Sequence, residues 1–167
     1  MPVLTRRTLL GAMLGAAATP LLGRTLQGAD GAALPASTLQ ALETSPYVYV
    51  SPLASGGGES SCHGEVWFAW LGGAVVIITA SDRWKAKSLT SGRDRARLWV
   101  GDYGPSKKLV GRNEAFRTAP SFEARARFEK DPALLDRLIA VYEKKYPSEI
   151  GRWRERFKTG FASGERL

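Results

Sequence analysis

The apolar positions between residues 47 and 100 fall into short runs separated by turn signals. The strand candidates are residues 47–51, 65–71, 74–79 and 96–100. They are rich in β-branched and aromatic side chains, which is typical of strands. Gly72-Gly73 separates the two central runs and favours a two-residue hairpin turn. Residues 74–79 are almost continuously apolar, so we expect this strand to lie deep in a core.

Helical patterns alternate with these strands. The helix candidates are residues 39–43, 82–91, 131–146 and 148–158. Apolar and charged positions alternate along residues 121–130, which is the period of a half-buried strand. Asp131-Pro132 then supplies a capping residue and a first-turn proline for the long helix. Because antiparallel hairpins dominate this order, we predict an α+β fold on a small barrel or curled sheet, with C-terminal helices packed on it.

The first residues have the layout of a cleaved targeting peptide. Arg6 and Arg7 precede a modestly apolar run, residues 9–23, which falls short of the roughly 20 strongly apolar residues that a membrane span needs. An arginine pair in this place is typical of the twin-arginine export route. We therefore predict a twin-arginine signal peptide over residues 1–33 and a periplasmic or otherwise exported domain over residues 34–167, without stable membrane insertion.

Charge and cysteine content restrict the kinds of ligand and site that the sequence predicts. The formal charge is +8, but many basic residues alternate with acids, which favours a solvated surface over a nucleic-acid interface. The charge also suits anionic ligands such as phosphates. Cys62 and His63 are the single cysteine and the single histidine, so neither an internal disulfide nor a four-ligand zinc site is expected. Neighbours in a strand point to opposite faces, so a catalytic Cys–His pair is not expected either.

Three blocks of the sequence resemble the pyridoxamine 5′-phosphate oxidase-like family, the flavin-binding split β-barrels. The first block is Val66-Trp67-Phe68. The second is Ile78-Thr79, followed after five intervening residues by residues 85–89, and the third is residues 123–134 with residues 142–146. They fall in the family's order and together run from about residue 47 to residue 146. The resemblance implies an antiparallel split β-barrel with short helices, which binds FMN at a homodimer interface.

The resemblance also implies a set of cofactor-binding residues. Thr79 and Lys85 would hold the FMN phosphate, because a dianion needs hydroxyls, amides and cations in one place. Backbone groups of residues 66–68 would run along the isoalloxazine ring. The full set is Val66, Trp67, Phe68, Ile78, Thr79, Trp84, Lys85 and Lys87. Trp84 stands where many relatives carry a second cation, which is a departure from the family pattern.

The function implied by the resemblance is an exported FMN-dependent oxidoreductase that acts on a small-molecule substrate. The flavin carries the redox chemistry, and no side chain of the sequence stands out as catalytic. Use of the deazaflavin F420 is a variant of this hypothesis. The alternative is a non-catalytic split barrel that holds a flavin or haem, with His63 as the imidazole available to a haem iron. A third hypothesis is a degenerate member that binds anionic surfaces through charge alone.

The C-terminus departs from the family pattern. Relatives close the barrel with a last strand after the C-terminal helices, and here that strand would begin at residues 165–167. We therefore expect either an open barrel or a truncated reading frame, and an open sheet edge invites pairing with a partner.

Overall fold

The computed structural model describes residues 33–105 and 113–167 as a mixed α+β structure with antiparallel sheets. The helices are α1 (Ala36–Thr44), α2 (Trp84–Thr90), α3 (Pro132–Lys145) and α4 (Arg154–Ser163). The strands are β1 (Tyr47–Pro52), β2 (Gly64–Trp67), β3 (Ala69–Leu71), β4 (Ala74–Val76), β5 (Arg95–Val100) and β6 (Ser121–Arg125). Short 3₁₀ turns cover Ala115–Thr118 and Ile150–Arg152. The predicted α+β class is confirmed. The predicted signal peptide lies outside the described residues, apart from Ala33.

Four strands form an antiparallel sheet in the order β2-β1-β5-β6. Its register places Val48 opposite Val100 and Val50 opposite Leu98, so alternate β-branched and aliphatic side chains share one face. This face packs against Leu42 of α1. Tyr49 and residues of the 3₁₀ turn at 115–118 cover the opposite face.

The second apolar run of the sequence forms two strands instead of one. Residues 65–71 were expected to be continuous, but the strand breaks at Phe68 between β2 and β3. The Tyr146 hydroxyl accepts a hydrogen bond from the Phe68 N–H at 3.2 Å, and the Lys145 ammonium donates to the Phe68 carbonyl at 3.4 Å. Helix α3 therefore satisfies the backbone groups that the break removes from the sheet.

The predicted hairpin is confirmed, but its second strand is shorter and less buried than expected. β3 and β4 pair around Gly72 and Gly73, whose φ angles are +58° and +84°, as a type I′ turn requires. The expectation that residues 74–79 lie deep in a core is wrong, because Ala74 is exposed and residues 75–79 are half-buried. β4 pairs with β3 along one edge, and within the described residues no strand covers its other edge.

Helix α3 packs its apolar stripe on the hairpin. Its first turn is capped by the Asp131 carboxylate, which accepts from the Ala133 N–H at 2.9 Å, as the Asp-Pro pair predicted. The buried members of the stripe are Leu135, Leu138, Ile139 and Tyr142. They form one core with Ala69 of β3 and Phe157 of α4.

No closed barrel forms in the part of the chain that the structure describes, where a four-stranded and a two-stranded sheet stay separate. The predicted split barrel is therefore not found in its closed form. The last residues return to the end of the apolar run, because Thr79 and Leu167 exchange backbone hydrogen bonds of 3.1 and 3.0 Å. An antiparallel bridge joins Ala80 and Arg166. The C-terminal segment thus adds a short strand-like contact where the predicted last strand would begin.

Candidate functional site

A cavity of about 560 Å³ opens beside the half-buried apolar run. Residues 74–78 form one wall, and Val50, Leu98 and Ala124 of the four-stranded sheet form another. Leu135 and Leu138 of α3 close a third side. This size lies within the range of about 300–1,000 Å³ that is usual for small-molecule sites. The half-buried apolar run is therefore the wall of a cavity rather than the centre of a core.

Polar groups meet at the part of the cavity formed by α2 and the end of the apolar run. Thr79, Lys85 and Ser88 all line it. Ser88 Oγ is buried and has no hydrogen-bond partner among the described residues. Buried hydroxyls without a partner are uncommon, because leaving one unpaired costs about 1–3 kcal/mol. A ligand oxygen in the cavity would supply the missing partner.

The Lys85 ammonium is partly withdrawn from water. Burial lowers the pKa of Lys85, and the nearby charge of Arg83 lowers it further. No carboxylate of the described residues lies within ion-pairing distance of Lys85. An anion bound beside it would favour the charged form of the amine and raise its pKa again. Lys85 is therefore suited to hold an anionic group at this end of the cavity.

The cavity wall carries more positive than negative charge. Its cations are Lys85, Arg93, Arg95, Arg125, Arg127 and Arg137, and its acids are Glu129 and Asp131. Three of the arginines pair with carboxylates: Arg95 with Glu123, Arg125 with Asp94, and Arg127 with Glu129, at 2.6, 2.6 and 2.5 Å. Arg93 and Arg137 have no such partner in the described segments. The field in the cavity therefore favours anionic ligands.

The structure brings three of the predicted site residues to this cavity. Ile78, Thr79 and Lys85 line it. Thr79 and Lys85 are close along the chain, because the apolar run ends at Thr79 and α2 starts at Trp84 after a short turn.

The other predicted residues lie elsewhere. Val66 packs against the core between the sheet and α1. The Trp67 ring stacks on Tyr146 with centroids 4.4 Å apart, and Phe68 is fully buried. None of these three residues lines the cavity, because Val66 and Phe68 pack in the core beside α1 and Trp67 packs against α3.

Trp84 and Lys87 sit on other faces of α2. Trp84 packs on β2, where a Cβ built on Gly64 would lie 3.4 Å from its ring. Lys87 is exposed. Lys85 lines the cavity, and its Nζ also lies over the Trp84 ring, 4.5 Å from the ring centroid.

His63 lies away from the cavity. Its side chain is 4% exposed, and Nε2 lies 2.9 Å from a carboxylate oxygen of Glu114. Its ring centroid is 5.1 Å from that of Phe116. Cys62 is exposed. No group of three or more His, Cys, Asp or Glu side chains in residues 33–105 and 113–167 is arranged to hold a metal ion.

Sequence reasoning missed some of the residues that line the cavity. Ser88 follows Lys85 by three positions on a predicted helix, and this spacing places two side chains on one face, so the pattern contained a usable signal. Arg137 and Leu167 come from distant parts of the chain. No local pattern could assign them to a site that only the tertiary structure forms.

Comparison of the chain with models of known protein families, with curated proteins and with solved structures found no match. Within the described segments, no helix has both the length and the apolar content that crossing a membrane requires.

Proposed function

We propose that this protein binds FMN in the cavity beside α2 and acts as an exported flavin-dependent oxidoreductase. One observation carries the proposal: the two residues that the family resemblance implied for the phosphate, Thr79 and Lys85, line one cavity whose other walls are largely apolar. The sequence already placed the two residues close together, since only a short turn separates them, and the cavity with its apolar walls is what the tertiary structure adds.

The chemistry of the cavity fits the two ends of a flavin. A phosphate monoester carries nearly two negative charges near pH 7, and Lys85 with the Thr79 and Ser88 hydroxyls offers a cation and two donors. The aliphatic wall formed by residues 74–78 suits an aromatic ring system, because its burial removes apolar surface from water. The excess of basic residues in the wall favours the same ligand.

When bound, the flavin would supply the two-electron chemistry. The residues of the chain would orient it: Lys85 and Thr79 hold its anionic end, and the aliphatic wall excludes water from one side of the ring. No side chain of the cavity is assigned a catalytic role. The substrate remains a small molecule of unspecified class in this proposal.

A homodimer belongs to the same proposal. The outer edge of β4 is unpaired in the described residues and borders the cavity wall. Unpaired strand edges favour pairing with a second chain. A second copy at this edge would enclose the cavity further, as the family resemblance implies.

The environment of His63 gives haem less support than a flavin. The His63 ring is covered, faces Glu114 and lies outside the cavity, so an iron ligand would have to displace an existing interaction. Non-catalytic flavin binding remains a separate outcome. We expect a bound flavin that turns over with a reduced nicotinamide donor, and a flavin that binds without turnover would favour the non-catalytic alternative.

The first test is a fluorescence titration with FMN and with riboflavin, which lacks the phosphate. The combined change Thr79→Ala and Lys85→Ala should weaken FMN binding at least ten-fold, because it removes a charge-assisted contact and a hydroxyl contact worth roughly 2–4.5 kcal/mol together. Riboflavin affinity should change less than about two-fold. Lys87→Ala is the matched control on the exposed face of α2 and should leave both affinities unchanged.

Three outcomes would count against the proposal. Failure of the wild-type protein to bind either flavin would overturn it. An equal loss of FMN and riboflavin affinity in the double variant would remove the phosphate assignment. If Lys87→Ala weakened FMN binding as much as the double variant does, the phosphate would bind at a different anion site and not in this cavity.

A further inference from the structure

The cavity beside α2 is lined mainly by aliphatic side chains. Residues 74–78 form a continuous apolar wall, and Phe128 and Phe161 are the only aromatic residues among the described ones that line the cavity. Aromatic side chains add specific ring contacts for a flat ligand, whereas a flexible alkyl chain gains from any apolar surface that removes it from water. The lining therefore suits an alkyl chain at least as well as a ring system.

The apolar wall is long and leads away from a polar end. Residues 74–78 run from the hairpin turn to Thr79, and five residues span about 13 Å when the chain is extended. Thr79 stands at one end of this wall, and Lys85 and Ser88 of α2 also line the cavity. The extended chain of decanoate is about as long as the wall. The cavity thus combines a polar end with an aliphatic wall of medium-chain length.

The charges on the cavity wall determine which headgroup fits the polar end. Both acids of the wall are engaged, because Glu129 pairs with Arg127 at 2.5 Å and Asp131 caps the first turn of α3. Lys85 has no carboxylate partner among the described residues. Its Nζ lies 4.5 Å from the centroid of the Trp84 ring. An anionic headgroup would therefore meet a cation without displacing an existing ion pair.

We propose that this cavity binds medium-chain fatty carboxylates, with the carboxylate beside Lys85 and Thr79 and the alkyl chain along residues 74–78. The carboxylate forms a charge-assisted contact with Lys85 and accepts from the hydroxyls of Thr79 and Ser88. Leucines of β5 and α3 line the facing walls and cover the chain. The placement of an unpaired cation at the end of a long aliphatic wall carries this proposal.

Fatty carboxylates and FMN compete for the cavity, because both place an anionic group at Lys85. This competition rests on the proposed function, whereas binding of the carboxylate to the flavin-free protein does not. The burial of apolar surface is non-directional, so one aliphatic cavity accommodates two ligands of unlike shape. A fatty carboxylate would therefore inhibit the flavin enzyme by keeping the cofactor out.

The test is isothermal titration calorimetry of the flavin-free protein with hexanoate, octanoate and decanoate, each below its micelle-forming concentration. We expect saturable binding of one ligand per chain. Each added methylene that enters the cavity should tighten binding by up to about four-fold. Decylammonium has the same alkyl chain with a positive headgroup, and it should bind at least about ten-fold more weakly than decanoate because the charged contact is lost.

Three variants locate the ligand in the cavity. Lys85→Gln should weaken decanoate binding about ten-fold, because it removes the charged contact. Lys87→Gln is the matched control on the exposed face of α2 and should change the affinity by less than about two-fold. Ala124→Leu places a larger side chain in the cavity wall, so it should weaken decanoate binding several-fold more than hexanoate binding. Circular dichroism checks that each variant is folded.

Four results would overturn the inference. The first is no saturable binding of decanoate by the wild-type protein at up to about 1 mM, which corresponds to about 4 kcal/mol of binding free energy. The second is equal affinity for decanoate and decylammonium, and the third is an affinity that does not depend on chain length. The fourth is a loss with Lys87→Gln as large as that with Lys85→Gln.

Titration with FMN separates this inference from the proposed function. If decanoate binds and FMN does not, only the flavin function is wrong. If FMN binds and decanoate does not, only the present inference is wrong. If both bind, saturating decanoate should weaken FMN binding, and an unchanged FMN affinity would overturn the assignment of both ligands to one cavity.

Discussion

At the residue scale, a single hydroxyl holds the strand break at Phe68. The Tyr146 hydroxyl donates to the Pro46 carbonyl and accepts from the Phe68 N–H. Burial raises the pKa of Tyr146 strongly, so the phenol stays protonated over the physiological range. The sequence placed Tyr146 at the end of a helix and in a block that resembles the oxidase-like family, but gave no sign of this hydrogen bonding. Its role became visible when the fold placed it beside residues that precede it by 78 and 100 positions.

We predict that Tyr146→Phe lowers the free energy of unfolding by about 1–3 kcal/mol, because it leaves the buried Phe68 N–H without a partner. Urea denaturation followed by tryptophan fluorescence measures the change. Tyr47→Phe is the control: the Tyr47 ring also stacks on Tyr146, at 6.4 Å, but its hydroxyl makes no hydrogen bond in the described residues. That variant should stay within about 0.5 kcal/mol of wild type, and equal losses in the two variants would contradict the account.

At the element scale, the β3–β4 hairpin shows which features the local sequence determines and which depend on tertiary packing. Gly72-Gly73 correctly predicted the turn, because both positions need positive φ angles. The same local pattern overestimated the length and burial of the second strand. An apolar run looks the same whether it enters a core or lines a cavity, and neighbouring elements decide between these outcomes.

The hairpin turn gives a test at this scale. Gly72 has φ +58°, and a Cβ built on it meets nothing within 4 Å, so substitution there tests backbone conformation alone. Gly72→Ala should destabilise the protein by about 1 kcal/mol. Gly72→Asn should recover much of this loss, because asparagine tolerates the left-handed region. Thermal unfolding monitored by circular dichroism compares the two variants, and an alanine variant as stable as wild type would show that the turn is not under this constraint.

At the scale of the whole molecule, many of the arginines in the described segments are held in ion pairs with carboxylates. The arginines that bind carboxylates within the described segments include Arg95, Arg97, Arg117, Arg125, Arg152 and Arg154. Glu123 alone accepts from both Arg95 and Arg97 at 2.6 Å, and these two contacts lower its pKa. Paired arginines contribute little to polyanion binding, because each would have to give up its carboxylate first.

We therefore predict that the protein does not bind a double-stranded DNA oligonucleotide saturably at concentrations below about 10 μM in 0.15 M salt. A dissociation constant above this concentration is within the ordinary range of non-specific affinity or weaker. Fluorescence anisotropy measures this interaction. Glu123→Gln leaves Arg95 without a carboxylate partner, whereas Arg97 keeps its contact with Glu59 at 3.1 Å, and the variant should show higher affinity and a steeper salt dependence. Micromolar binding by the wild-type protein with a steep salt dependence would instead favour the charge-based hypothesis.

The sequence by itself determined the elements, and the tertiary structure decided the site. Turn glycines, the Asp131 cap and the β-branched runs act over a few residues, so the α+β class, the hairpin and α3 followed from local physics. The assignment of Thr79 and Lys85 to one site could also be predicted from the sequence, because one turn joins them. The break at Phe68, the environment of Lys145, and the approach of Arg137 and Leu167 to the cavity depend on contacts between distant segments. Such contacts are set by how helices and sheets pack, which no local pattern encodes.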